Sequence, residues 1–207
     1  MVQVYEVFEA DMAGPALESR NLRVVLDLDR WLKIADALAG AKEPLLVTGY
    51  AGRNQKIPGA LVELANTVKG LRVLDTGGSD MCFPADHPAW LGLKYGVDDA
   101  VRTADVIVVL DCDVPWIHTQ CKPRDDAKIF HIDVDPLKQM MPVFWMPAQA
   151  RYRADALTSV EQITNLLKSD ASYASQLKGE ERDKMWATLQ ESYQKRLVQI
   201  AERAKPL

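Results

Sequence analysis

Two short runs constrain this chain more than any other feature: Ala104-Asp-Val-Ile-Val-Val-Leu-Asp111 and Lys128-Ile-Phe-His-Ile-Asp-Val-Asp-Pro136. Each is apolar, rich in β-branched residues and ends in carboxylates. Runs of this kind read as strands buried on both faces, as in a parallel sheet covered by helices. Asp133 and Asp135 then fall at the carboxyl end of a strand. Open α/β sheets bind ligands at that edge, and an acid there can grip a ribose. Polar capping of a strand end, with Pro136 breaking the ladder, is the plainer explanation of the same two residues.

The rest of the chain supplies alternating helices and strands. Residues 29–39 show helical spacing, with Asp29 as N-cap and Gly40 as the C′ residue. Residues 44–48 read as a short strand closed by Gly49. Pro58 suits the first turn of a helix running to Val68, and Gly70 ends it. A strand follows over 71–74, then a long loop over 76–96. A short helix over 98–102 leads into the Val106 strand. The 111–128 connection shows no clear helix. Residues 151–154 read as one more strand, and Ser159 as the cap of a helix through Leu167. Right-handed crossovers make such strands parallel, with helices on both faces. The expected fold is α/β, a Rossmann-like three-layer αβα arrangement with a parallel sheet of about six strands and a C-terminal helical extension. Residues 168–179 are polar and linker-like. From Glu180 to about Lys205 the spacing is helical again, roughly 35–40 Å of helix. Its apolar stripe of Trp186, Leu189, Tyr193, Leu197 and Ile200 needs a surface to lie on.

Composition narrows the function. A net charge of -4 argues against nucleic acid or an anionic membrane as partner, since both require clustered basic charge. No long uncharged apolar run is present, so no transmembrane helix is expected. The first residues, Met1-Val-Gln-Val-Tyr-Glu-Val-Phe-Glu, lack the features of a signal peptide. Cys82, Cys112 and Cys121 are odd in number and form no CxxC pair. Cys112, His118 and Cys121 lie close together, but their spacing fits no standard metal site. Buried thiols in a reducing, cytoplasmic compartment are the expectation.

Residues that carry chemistry are few. Gly49-Tyr-Ala-Gly-Arg53 follows the first strand and precedes a helix, so Gly49 and Gly52 would let backbone amides approach a phosphate. The run is neither GxGxxG nor GxxxxGK[ST], and a tight strand-to-helix turn is the plainer explanation. Arg53 is either a phosphate partner or a surface arginine. Asp111 and Asp113 are two further carboxylates past a strand end, with no nucleophile or histidine placed near them by sequence. His131, inside an apolar strand, reads as a packed core residue. Asp86-His87-Pro88 resembles a motif, yet its spacing supplies no reaction. No catalytic set and no metal site emerge.

Five segments occur in a recognisable order: the 29–40 helix, Glu43-Pro-Leu-Leu-Val-Thr-Gly49, Phe83-Pro-Ala-Asp-His-Pro-Ala-Trp-Leu-Gly92, Ala104-Asp-Val-Ile-Val-Val-Leu110 and Ile129-Phe-His-Ile-Asp-Val-Asp-Pro136. Together they resemble the central domain of thiamine diphosphate-dependent enzymes of the acetolactate synthase and pyruvate oxidase type, over residues 29 to 155. The resemblance implies a three-domain polypeptide. Residues 1–28 would be the link from a pyrimidine-binding domain, 29–167 the central domain, and 168–207 the linker and helix toward a diphosphate-binding domain. It also implies thiamine diphosphate and Mg2+ in the full-length parent but not in this piece, and a homo-oligomeric parent, dimer or tetramer, acting as a lyase or transferase. The family's cofactor-activating glutamate and its Gly-Asp-Gly magnesium motif map onto no position here.

Some members hold FAD or ADP in this domain. The positions that carry over are Gly49, Gly52, Asp133 and Asp135. This chain departs from the flavin pattern after Leu110, where Asp111-Cys-Asp-Val-Pro-Trp stands instead of an arginine-containing Gly-Ala-Arg-Phe-Asp-like run. Two anions in place of a cation repel a pyrophosphate. The leading expectation is a scaffolding central domain, inactive alone, with exposed apolar surface over 140–146 and along the Trp186–Ile200 stripe. The alternatives are a nucleotide-binding regulatory module of the same family and a free-standing Rossmann oxidoreductase.

Overall fold

The computed structural model describes residues 7–8, 28–77, 80–136 and 146–205. In chain order the elements are β1 (Val7–Phe8), α1 (Leu28–Gly40), β2 (Pro44–Thr48), a 3-10 turn (Ala51–Arg53), α2 (Ile57–Thr67), β3 (Arg72–Asp75), β4 (Trp90–Leu93), α3 (Asp99–Thr103), β5 (Val106–Leu110), β6 (Lys128–Asp133), β7 (Ala150–Arg153), α4 (Ala156–Ser169), α5 (Ala171–Gln176) and α6 (Glu180–Arg203). The strands form one seven-stranded sheet in the order β1-β7-β6-β5-β2-β3-β4. Every pairing is parallel. The chain runs outward from β2 to β3 and β4, then returns to place β5, β6 and β7 on the other side. The order therefore reverses between β2 and β5.

Burial of both faces of the central strands follows from their composition. Every residue of β2 and β5 is buried. Leu46, Val108 and Leu110 face a large core with Ile34, Leu38, Leu61, Leu64, Val160 and Ile163 from the helices. Leu45, Val47, Ile107 and Val109 face a smaller core with Ala100, Val101 and Trp116. Each fully buried side chain of this size contributes roughly 1.5–3 kcal/mol. The second face is thinly covered by helix, because α3 has five residues. As expected, the connection from β5 to β6 carries no helix among the described residues. Trp116, fully buried within it, fills the space a crossover helix would take.

Several boundaries differ from the expectations. The 76–96 region is not all loop, since β4 pairs with β3 through a register shift at Val73 and Leu74. Gly92 in β4 has φ +114, which accommodates that irregularity. Helix α1 begins at Leu28, so Asp29 lies in its first turn rather than at its cap, and Gly40 is its last residue. Ser159 is not the cap of α4. Asp155 is, accepting from the Thr158 amide at 2.8 Å, while the Ser159 hydroxyl donates back to the Asp155 carbonyl. The segment expected to be a linker over 168–179 contains α5, capped by Asp170. Tyr173 is buried there and donates to Asp36 Oδ1 at 2.5 Å, a bond that pushes its phenol up to about 12. Val7–Phe8, in the other expected linker, pairs with β7 at the sheet edge.

Helix α6 seats on the side of the body away from the strand carboxyl ends. Arg182 donates to the carbonyls of Leu38, Ala39 and Lys69. Met185 covers Gly70, where a Cβ would lie 2.6 Å from its methyl carbon. Trp186 lies near His87, and Arg196 stacks over Trp90 at 5.2 Å. The stripe on α6 is thus divided. Leu189 is buried on the body, whereas Leu197, Val198 and Ile200 are 39%, 57% and 53% exposed. Exposure of the stripe holds for its far half only. Of the 140–146 segment only Met146 is among the described residues, and it is buried rather than exposed.

Candidate functional site at the strand switch point

A cleft of about 510 Å³ opens at the carboxyl ends of β2, β5 and β6, beside the reversal of strand order. That is where doubly wound sheets form ligand crevices. The strands deliver their terminal residues to it: Tyr50 and Arg53 after β2, Asp111 and Asp113 after β5, Asp133 and Asp135 at the end of β6, and Asp155 before α4. Ile57, Val134 and Ala156 supply apolar wall.

Backbone hydrogen bonds shape this rim. The Tyr50 amide donates to the Asp111 carbonyl at 2.8 Å, and the Asp111 amide to the Ile132 carbonyl at 3.0 Å. Asp111 takes φ +42, left-handed backbone that a short polar residue tolerates. Asp133 is buried and folds back on its own loop, accepting from the Asp135 amide at 2.8 Å. His131 Nε2 lies 3.5 Å from Asp133 Oδ2, with both side chains buried. His131 is a packed residue of the sheet, as its setting in an apolar strand predicts.

The glycines of the first loop are held by protein. A Cβ on Gly49 would meet Cys112 Sγ and Thr76 Oγ1 at 3.3 Å, and one on Gly52 would meet the Met81 carbonyl oxygen at 2.5 Å. The close approach that both glycines permit is made here by the β3–β4 loop and the β5 end. Gly52→Ala is accordingly expected to cost about 1–3 kcal/mol through overpacking against rigid backbone. Urea unfolding measures it, and an unshifted midpoint would show that the 80–81 backbone yields freely.

Electrostatically the cleft is acidic. Asp111, Asp113, Asp133, Asp135 and Asp155 line it, against Arg53 as the cation among its lining residues. Arg53 is largely exposed, lies over the Tyr50 ring at 4.5 Å and faces Asp80 at 3.7 Å. Burial first, and then the carboxylate of Asp113, push the Tyr50 phenol up. A close pair of unit charges at 4 Å is worth about 4 kcal/mol at an effective dielectric of 20. Among the lining residues one exposed guanidinium stands against five carboxylates, a lining that presents a pyrophosphate with more acceptors than donors.

The structure brings Asp111, Asp113, Asp133, Asp135 and Arg53 to one cleft. It places Gly49 and Gly52 under the loops beside it rather than among the lining residues. Tyr50 and Asp155 join the cleft without having been singled out by sequence. The signal for Asp155 was its place before Thr158 at a helix start. Cys112, His118 and Cys121 go separate ways: to Thr76 at 3.1 Å, to Trp116 at 3.1 Å and to the Asp98 carbonyl at 3.3 Å. Among the described residues no three His, Cys, Asp or Glu side chains are placed to hold one metal ion. No helix among them is long and apolar enough to cross a membrane.

The family described as "Thiamine pyrophosphate enzyme, central domain" matches residues 32–158. No curated protein matches the sequence significantly. Solved structures do resemble the fold. One belongs to a protein assigned as a thiamin diphosphate-dependent enzyme from Mycobacterium smegmatis, with TM-score 0.59 and 25% identity over 74% of this chain and 30% of that one. Another is the thiamine diphosphate-dependent 4-hydroxybenzoylformate decarboxylase of Rhodococcus jostii, with TM-score 0.56, 22% identity and coverage of 70% and 28%. A third is benzoylformate decarboxylase from Polynucleobacter necessarius, with TM-score 0.55, 20% identity and coverage of 76% and 30%. This chain thus spans under a third of the length of each of these structures. With the family match covering more than half of its residues, the chain belongs to the thiamine pyrophosphate enzyme central-domain family.

Proposed function

We propose that this chain works as the scaffolding middle domain of a longer thiamine diphosphate enzyme. Its sheet and α6 position neighbouring domains of the same polypeptide and contribute to an oligomeric assembly. The parent acts on a 2-keto acid or a 2-hydroxyacyl compound, by decarboxylation, carboligation or lysis. Thiamine diphosphate supplies a carbon nucleophile in such chemistry when it is bound with Mg2+. The described residues do not fit the cofactor's diphosphate: Arg53 is the one cation among the lining residues of the switch-point cleft, and no group of His, Cys, Asp or Glu among them is placed to hold the Mg2+ that would bridge carboxylates to a diphosphate. In this reading the cofactor and the metal are held by the flanking domains. Cys82, Cys112 and Cys121 are buried thiols outside any disulfide, which suits a reducing intracellular compartment.

The acidic lining of the cleft carries the proposal. It also disfavours nucleotide binding through Gly49, Gly52, Asp133 and Asp135. Titration calorimetry of the 207-residue chain with ADP, FAD, NAD and thiamine diphosphate plus Mg2+ is the direct test. We expect no binding heat at millimolar ligand and no turnover of a 2-keto acid. Saturable heat with ADP or FAD, abolished by Asp133→Ala, would establish the regulatory nucleotide-binding reading instead. Hydride transfer with NAD would point to an oxidoreductase.

A further inference from the structure

We propose that His87 is a pH-sensitive clasp for α6, because charging its ring would turn an accepting nitrogen into a donor facing the Ala89 amide. The geometry defines the ring's state. The Ala89 N–H donates to His87 Nδ1 at 3.2 Å, so Nδ1 carries no proton. The proton therefore sits on Nε2, which lies 3.2 Å from Asn66 Oδ1 on α2 and donates to it. The neutral ring ties together the turn before β4 and the end of α2. It also packs against two aromatic rings. Phe83 meets it edge-on at 5.1 Å between centroids, and Trp186 of α6 lies tilted at 5.7 Å. His87 is thus the joint between the Phe83-Pro-Ala-Asp-His-Pro-Ala-Trp90 segment and the docked half of the C-terminal helix.

Protonation leaves the Nε2 bond intact and destroys the other. Nδ1–H would then point at Ala89 N–H, and one of the two must move. The turn that carries Phe83 and the ring's contact with Trp186 depend on that position. The charged groups on the surrounding elements are largely paired with one another, Lys184 with Glu180 and Lys195 with Glu191 on α6. Asp86 lies on the ring's own loop and favours the charged form. On α2 and the turn after it, Glu63 is engaged by Lys168 and Lys69 by Asp183. On α6, Arg182 is committed to backbone carbonyls and Arg196 stacks over Trp90. Burial outweighs Asp86 and holds the imidazole below its ordinary 6.5. A base with a depressed folded pKa gives stability that is complete above the unfolded value of 6.5 and lost as pH falls through the lowered folded value. The clasp is closed at neutral pH and opens on acidification.

Hydrogen exchange by mass spectrometry tests this on the whole chain. Peptides spanning 183–193 should lose protection, after correction for intrinsic rates, as pH falls from 7.5 to 5. Peptides of α4 should not. In His87→Asn the side-chain oxygen can still accept from Ala89 but never charges, so α6 protection should become independent of pH. Retention of the wild-type pH dependence in His87→Asn would overturn the proposal, as would α6 tracking α4 throughout. NMR titration of the wild-type imidazole gives a second reading that needs no variant. It should show the Nε2–H tautomer at pH 7.5 and a midpoint below 6.5. An Nδ1–H tautomer, or a midpoint above that value, would equally overturn it.

Discussion

Arg182→Ala is expected to lower the unfolding free energy by about 2–4 kcal/mol, because it removes charge-assisted hydrogen bonds to buried carbonyls and leaves those acceptors poorly satisfied. The residue is almost fully buried, yet its partners are carbonyl oxygens. Leu38 and Ala39 lie in the last turn of α1, whose free carbonyls carry the negative end of the helix dipole. No basic residue stands in that turn. Arg182 supplies the missing cation from α6, far along the sequence. Truncation leaves up to three carbonyls poorly satisfied and removes the pin that holds the first turn of α6. Urea unfolding should show the loss, and proteolysis should cut sooner around Lys178 and Gly179. Arg182→Lys should recover part of it, because an ammonium restores charge but not the planar fork. A midpoint within about 0.5 kcal/mol of the parent would show that water satisfies these carbonyls and that α6 is held by its apolar contacts.

The contact that Arg182 makes illustrates what sequence reading misses. Helix α6 was legible from its spacing, but the half of its stripe that packs on the body depends on Gly70, His87 and Trp90, which no local pattern links to it. The central strands were legible because β2, β5 and β6 are continuous apolar runs, and burial on both faces leaves no other comfortable place for them. Strand β4 was hidden because Trp90-Leu-Gly-Leu93 is an irregular, partly exposed edge with a glycine inside it. Helix α5 was hidden because Tyr173 is its one buried residue and polar side chains dominate the rest. Both are held by tertiary contacts rather than by propensity.

The site followed the same division. Asp133 and Asp135 could be placed at a strand's carboxyl end from their run alone, and Asp111 and Asp113 likewise. Their convergence needed the strand order, since β5 and β6 are neighbours while β2 joins them only through the reversal. Gly49 and Gly52 suggested a phosphate loop, because glycine marks close approach without saying what approaches. In this fold Thr76, Cys112 and the Met81 carbonyl are the neighbours.

Trp116→Ala is expected to cost about 3–5 kcal/mol, comparable with Arg182→Ala but for a different physical reason. The side chain is fully buried in the smaller core, where the β5–β6 connection has no helix to lay over Ile107, Val109 and Ile129. Its indole is the largest side chain of that core, which it shares with Ala100, Val101, Cys121 and Met146. Two contributions are separable. The Nε1–H donates to His118 Nδ1 at 3.1 Å, and a neutral bond of this kind is worth about 0.5–1.5 kcal/mol. The larger part is apolar volume. Trp116→Phe keeps most of the volume and loses the bond, so it should cost markedly less than alanine. His118→Ala removes the acceptor together with the tilted ring contact at 6.0 Å between centroids, and should still cost less than Trp116→Ala. Equal losses for Trp116→Phe and Trp116→Ala in urea unfolding would locate the energy in the polar contact. A large gap between them would show that one aromatic ring replaces a crossover helix on this face of the sheet.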